Sequence, residues 1–518
     1  LFHKKIMIDI SIVLIYFIIV FIVALSGKIK NPTSEEYFLS SRSLKWYSIA
    51  FSTIATNIQG NNLLGMMGSA YLFGLAQATL EIDAIQGLLM AAFIFVPLFL
   101  REKIFTVSQF IKNRISKSMS YTYSFSYLII YSTITLGAAL FWGAYATDIV
   151  FSDELSIISN NRITRIAVII IILGLLSFIY SYLGGLSAVV RTDIIQFSIL
   201  TIGGLAILFV TIKNIGGWEN LYVLTPEKMH LHLPSDHEVL PWTHILGLFF
   251  LNINYWCGNQ MIIQRALAAK NLGHAQTGLL VGGILKYLMA IMIVIPGIAL
   301  FAYDQSLISE PDMAFPFVVK NYIPIGLKGI ILCGLFASVM STVDSTYNSI
   351  ATIWSIDIYS TLVNKKASSK EKVNAGKSSI ILSLISGLTM GMIFLYMKFN
   401  NPEAAFTHTT NELRYLIFTS IIVLICSSII LIKPKAKSIM FCFLICIPIN
   451  LMIKIFIPEI NYFFRIFIVC SSVLSLAILL NRKHINSFKN SLQFYSPKHK
   501  YYGITLLLSL ILVHIIFN

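Results

Sequence analysis

The stretch Ser52-Thr53-Ile54-Ala55-Thr56-Asn57-Ile58-Gln59-Gly60-Asn61-Asn62 sits in the middle of an otherwise apolar run, 46–75. Of positions 57–62, all but Ile58 are amides or glycine. A lipid-facing helix does not tolerate such a run without a reason. The run predicts a local break, with freed carbonyls and half-helix ends that hold an ion or a polar solute, and such breaks persist only where they line a cavity. A polar helix–helix contact is the plainer alternative.

The rest of the chain makes this run an exception. Of 518 residues, 57% are hydrophobic and 12% charged, and the mean hydropathy is +0.79. A soluble domain carries about a quarter charged residues. Apolar runs long enough to cross a bilayer core of roughly 30 Å recur from end to end. They are continuous rather than alternating, so the expected class is an all-α polytopic membrane protein. About fourteen spans are expected, near 6–27, 46–75, 79–100, 119–146, 163–183, 187–212, 240–262, 276–302, 324–360, 378–398, 404–432, 438–457, 461–481 and 500–517. The first is read as a retained helix, because it is longer than a signal-peptide core. Leu183-Gly184-Gly185 is read as a tight turn.

The net charge is +15. Its basic residues cluster after odd-numbered spans: Lys28 to Lys45, Arg101 to Lys117, Arg265 and Lys270, Lys365 to Lys377, Lys433 to Lys437, and Arg482 to Lys500. The positive-inside rule then places those loops in the cytoplasm and both termini outside. This distribution argues against nucleic acid as a partner and for a lipid bilayer. The six cysteines lie in apolar segments without a paired motif, which argues against a disulfide framework or a zinc site. The histidines form no nucleophile–base or metal set, so an enzyme is not expected.

The seventh span repeats the polar interruption as Asn252-Ile253-Asn254-Tyr255-Trp256-Cys257-Gly258-Asn259-Gln260. Spans two and seven lie five apart, the spacing of an inverted repeat of five helices plus five. In the ninth span Ser338, Ser341 and Thr342 fall at i, i+3 and i+4 and share a helix face. Three hydroxyls there suit sodium, and hydroxyl-to-backbone bonding in a packed helix is an equally open reading. Among single charges, Asp193 follows Arg191 near the start of span six. Lys286 lies well inside span eight, with Glu81 as its candidate partner.

Several ordered motifs resemble the sodium/solute symporter family. They are Glu36-Tyr37-Phe38-Leu39, Arg42-Ser43-Leu44, Asn57-Ile58, Gly65-Met66-Met67-Gly68-Ser69-Ala70-Tyr71, and Tyr182-Leu183-Gly184-Gly185-Leu186-Ser187-Ala188-Val189-Val190 with Thr192-Asp193 and Gln196. Gln264-Arg265-Ala266-Leu267-Ala268-Ala269-Lys270, Asn348-Ser349 and Asp357-Ile358-Tyr359 resemble the sodium/glucose and sodium/galactose branch. The likeness runs from about 34 to 362 and weakens beyond 400.

The resemblance implies a leucine-transporter-like core of two inverted five-helix repeats, alternating access and coupling to sodium. It divides the chain into 1–45 (first helix and loop), 46–432 (ten-helix core) and 433–518 (three further helices). It implies a sodium site from Ala55, Ile58, Ser338, Ser341 and Thr342. Asp193 with Ser338, Ser341 and Thr342 would suit the second sodium position that some members have. The sugar-site positions fall on Asn62, Glu81, Asn252 and Lys286, with Thr410 at the core-helix glutamine and Tyr255 at the aromatic inner gate. Asn62 replaces a longer glutamine, Leu80 an aromatic residue and Thr410 a glutamine, so the pocket is sugar-like but altered. The implied function is sodium-coupled import of a sugar or polyol across the plasma (inner) membrane. A sialic acid, myo-inositol, proline or an organic acid is an alternative cargo, and a transporter-like sensor a remoter reading. Oligomeric state is not readable.

Overall fold

The computed structural model describes residues 2–26, 30–237, 239–304, 313–400, 406–485 and 492–518, with the side chains of 2–7, 61 and 406–413 outside that description. No strand forms among the described residues; there are three isolated bridges. The principal helices are α1 (Phe2–Leu25), α2 (Trp46–Asn57), α3 (Gly60–Phe73), α4 (Ala84–Met90), α5 (Lys117–Ile130), α6 (Leu136–Leu155), α7 (Arg162–Asn214), α8 (His244–Asn252), α9 (Gln260–Leu267), α10 (Leu272–Tyr303), α11 (Leu327–Thr352), α12 (Ser369–Asn400), α13 (Phe406–Ile430), α14 (Ala436–Phe456), α15 (Tyr462–Leu480) and α16 (Pro497–Ile516). Ten helical stretches among the described residues are long and apolar enough to cross a membrane.

The two polar interruptions are breaks. α2 ends at Asn57, Ile58 and Gln59 are extended, and α3 restarts at Gly60. In the seventh span α8 passes into a π-helical segment, Ile253–Gly258, and Asn259 is extended before α9 begins. The backbone at the two breaks is nearly the same: φ −81°, ψ 113° at Ile58 and φ −88°, ψ 114° at Asn259. Asn259 also caps α9, its side chain accepting from the Met261 amide at 3.0 Å.

At 1.5 Å per residue the 53 residues of α7 would run about 80 Å, far beyond a bilayer. The chain turns within them at Gly185, whose φ is +56°. The turn expected over three residues is a single glycine. A Cβ there would stand 2.4 Å from the Tyr37 carbonyl oxygen, so only glycine fits. The Tyr37 hydroxyl donates to the carbonyls of Ser181 and Tyr182 at 3.2 and 3.0 Å, which satisfies groups the turn releases.

α7 packs along α11, α10 along α2 and α3, and α6 along α12. α13, α14 and α15 form a second group that meets α8 through α15. α16 lies across α10 and α4.

Candidate ion and substrate site

Two polar clusters flank the break in α2. The first lies between α2 and α11. The last helical pair of α2 is Ile58 N–H to Ile54 C=O at 3.2 Å, so the carbonyls of Ala55, Thr56 and Asn57 lie past its end. Thr342 reaches across from α11: its hydroxyl stands 3.4 Å from the Thr56 carbonyl oxygen and 3.0 Å from that of Ser338. Ser338 donates within its own helix to Leu335 at 2.9 Å. Ser341 donates to Asp193 Oδ1 at 2.6 Å. The hydroxyls expected on one face are thus buried against the end of the broken helix.

Asp193 is held by more than Ser341. Its Oδ2 accepts from the Ser52 hydroxyl and from Arg265 Nη2, the latter at 3.2 Å, and both charged side chains are fully buried. Arg265 also donates to Ser52 Oγ at 2.9 Å, to Thr56 Oγ1 at 2.8 Å, to Ser345 Oγ and to the Met261 carbonyl. This corrects the reading of Arg265 as a topogenic loop charge: it sits on α9 inside the bundle and ties α2, α7 and α11 together. A guanidinium with its donors satisfied is the cation best suited to such burial. Asp344, fully buried on the next turn of α11, accepts from the Tyr180 hydroxyl and the Ser345 amide. Sequence reasoning quoted Ser52 without assigning it and did not single out Asp344. Their signal was a carboxylate and a hydroxyl at helical spacing from positions already chosen.

The second cluster lies on the other side of the break. Lys286 of α10 is 1% exposed and bonds Glu81, which is 4% exposed at its side chain. The same ammonium donates to Asn57 Oδ1 at 2.5 Å and stands 5.4 Å from the centre of the Trp256 ring. Asn57 is the last residue of α2, so the break carries the pair's third partner, which sequence reasoning had not singled out. Asn252 donates to the Asp83 carbonyl at 2.9 Å. Gly87 permits this approach: a Cβ on it would lie 2.5 Å from Trp256 and 2.8 Å from the Asn252 carbonyl. Tyr255 is half-buried and packs edge-on against Trp256, with centroids 5.1 Å apart. The structure therefore gathers Glu81, Lys286 and Asn252, with Tyr255 beside them. Asn62 is half-buried on the first turns of α3, and no polar contact to the others brings it into the group. Thr410 lies in α13 with its side chain outside the described residues.

α5, with the π-helical turn Tyr131–Thr135 that continues it, supports the second break. Tyr123 donates to the Gly258 carbonyl at 2.6 Å, Tyr127 to Asn254 Oδ1 at 3.0 Å, and Tyr131 to Asn259 Oδ1. These tyrosines are four residues apart and buried, so one helix face lays three hydroxyls along the π segment. Groups that a regular helix would pair are paired from outside.

Comparison with known proteins gives the following. The family model described as "Sodium:solute symporter family" matches residues 37–407. The "Sodium/glucose cotransporter" of Vibrio parahaemolyticus is 31% identical over 418 residues, covering 74% of each chain. The human "Sodium/myo-inositol cotransporter" is 30% identical over 438 residues, covering 75% of this chain and 59% of that protein. The chain thus spans about three-fifths of that relative's length. The solved structure of a Na+-coupled sialic acid symporter in a substrate-bound outward-open state aligns with a TM-score of 0.81. It covers 93% of this chain and 98% of that one at 20% identity, a likeness of fold.

Proposed function

This chain belongs to the sodium:solute symporter family, and from that premise we propose that it is a sodium-coupled symporter for a sugar or polyol, working by alternating access. It is a transporter and not an enzyme. The observation that carries the reading is the meeting of Glu81, Lys286 and Asn57 at the broken end of α2, with Asn252 alongside. A sugar presents hydroxyls that both donate and accept, and a carboxylate, an ammonium and amides match them. The ammonium and carboxylate cancel one another, which favours a neutral solute. The glucose and myo-inositol relatives point to the same class.

Sodium binds to the carbonyls of Ala55 and Ile58 and the hydroxyls of Ser341 and Thr342, with Ser338 at the same level. The Thr342–Thr56 approach supports this assignment. The substrate binds Asn62, Glu81, Asn252 and Lys286, with Thr410 on α13 and Tyr255 as the gate beneath. A second sodium position would use Asp193 with Ser338, Ser341 and Thr342. Arg265 is the cation already on Asp193, so an ion there replaces the guanidinium rather than joining it. Fourteen spans, an inverted repeat over 46–432 and external termini in the plasma (inner) membrane complete the proposal; the matching dihedrals at Ile58 and Asn259 support the repeat.

One observation favours a second reading, an anionic solute such as a sugar acid. Arg414 stands one turn beyond Thr410 on α13, with its guanidinium 5.9 Å from the ring centres of Tyr415 and Phe418, and within electrostatic range of Tyr255.

The deciding experiment is thermal stabilisation of the purified protein by sugars, polyols, sialic acids and amino acids, with and without sodium. A ligand that binds the native form raises the midpoint. A neutral polyol that works only in sodium bears the proposal out; a response confined to acids replaces it with the second reading. Thr342→Ala is expected to raise the sodium concentration for half-maximal uptake by about tenfold, the equivalent of one contact to a charged group. Unchanged sodium dependence would remove Thr342 from the ion site.

A further inference from the structure

α16 lies outside the residues that match the family, yet it reaches the substrate cluster. Asp83 sits at the junction between the short helix Thr79–Ile82 and α4, two residues from Glu81, and is fully buried. Its carbonyl holds Asn252 at 2.9 Å. Its carboxylate Oδ1 accepts from His514 Nε2 of α16 at 2.9 Å and stands 3.4 Å from Gln86 Nε2. Its Oδ2 has no hydrogen-bond partner among the described residues. On the far side of the imidazole, His514 Nδ1 meets His232 Nε2 at 3.1 Å, with the rings stacked at 5.1 Å, and His232 Nδ1 meets Asn518 Oδ1 at 2.8 Å.

A carboxylate only accepts, so His514 Nε2 donates to Asp83, and its Nδ1 is left to share a proton with His232 Nε2. Lys286 is engaged by Glu81, and His514 makes the one ion pair found for Asp83 among the described residues. The other titratable groups facing this place are His232 from the 226–237 loop, His244 from α8, and Tyr287 beside Lys286 on α10. Tyr287 bonds Ser509 of α16 at 2.9 Å.

We propose that His514 is a positioning residue of the substrate site: through Asp83 it sets the end of the 79–82 helix and the seat of Asn252. The inference rests on the substrate-site reading above. It makes α16 part of the binding apparatus rather than a peripheral helix.

The test compares the parent protein with His514→Ala, His514→Gln and Asn252→Ala in proteoliposomes. Uptake of labelled myo-inositol and D-glucose is measured in saturating sodium at one fixed pH. The expected result is a KM raised about tenfold in His514→Ala with maximal rate within twofold. His514→Gln, which keeps a donor toward Asp83, is expected to restore part of the affinity. A lowered maximal rate with parental KM would mean that His514 only anchors α16, and would overturn the proposal. Should Asn252→Ala be unaffected as well, the substrate-site reading itself falls. If neither solute is carried, amide exchange of 250–258, corrected for intrinsic rate, decides. Lower protection in His514→Gln than in the parent supports the proposal, and equal protection overturns it. The same comparison decides if His514→Ala does not fold.

Discussion

Arg265→Met is expected to yield little folded protein, and Asp193→Asn added to it is expected to recover much of the loss. The single change leaves Asp193 fully buried with its cation gone. Breaking one side of a buried ion pair costs about 3–5 kcal/mol, whereas replacing both charges is often neutral. Asp344 makes the single change worse, because a second buried carboxylate stands near Asp193 and its own contacts are a hydroxyl and an amide. The hydroxyls that Arg265 now bonds have a fallback: Thr56 and Ser345 are already 3.0 Å apart. The measurement is the thermal midpoint of the detergent-solubilised protein and its monodisperse fraction. A single variant with the parental midpoint would show that Arg265 is not the tie between these helices.

Lys286→Met is expected to lower the ratio of maximal rate to KM for the transported solute by about 30-fold or more, with the sodium requirement little changed. Truncating one member of a buried hydrogen-bonded charge pair costs about 2–5 kcal/mol, and 1.4 kcal/mol is a factor of ten. Two partners are stranded at once, Glu81 and Asn57, and the Trp256 face loses its cation. Thr342→Ala should show the opposite division, a changed sodium requirement with a near-parental solute response. Measuring both concentration dependences for both variants separates the two clusters. If Lys286→Met transports normally, the pair is structural and the solute binds elsewhere.

Much of this was readable in the chain because lipid makes polarity conspicuous. Polar runs at 57–62 and 252–260 stood out against apolar surroundings, and both became breaks. A lone lysine inside a span asks for a carboxylate, and Lys286 has Glu81. Arg265 misled for the same reason that charge counts usually work. Near the end of a span, a cation that leaves the membrane and one that folds back into the bundle look alike in one dimension. The difference is which face of a short half-helix α9 presents, and that is fixed by Asn259 and the break before it. Asn57 was hidden differently: its polarity was read as a cause of the break, while its side chain is also a ligand of Lys286. The contact of α16 with Asp83 spans more than four hundred residues of sequence, and no local pattern signals it.

Tyr123, Tyr127 and Tyr131, on α5 and the turn that continues it, have a consequence for how this chain can be divided. The π segment at 253–258 does not carry the whole of its own hydrogen-bonding complement; part of it resides on another helix. The seventh span is therefore not a transferable module. A chimera that imports it from a relative without the matching tyrosine face would leave Asn254, the Gly258 carbonyl and Asn259 without their donors. Grafts and recombination points should keep residues 123–131 and 252–260 together from one parent.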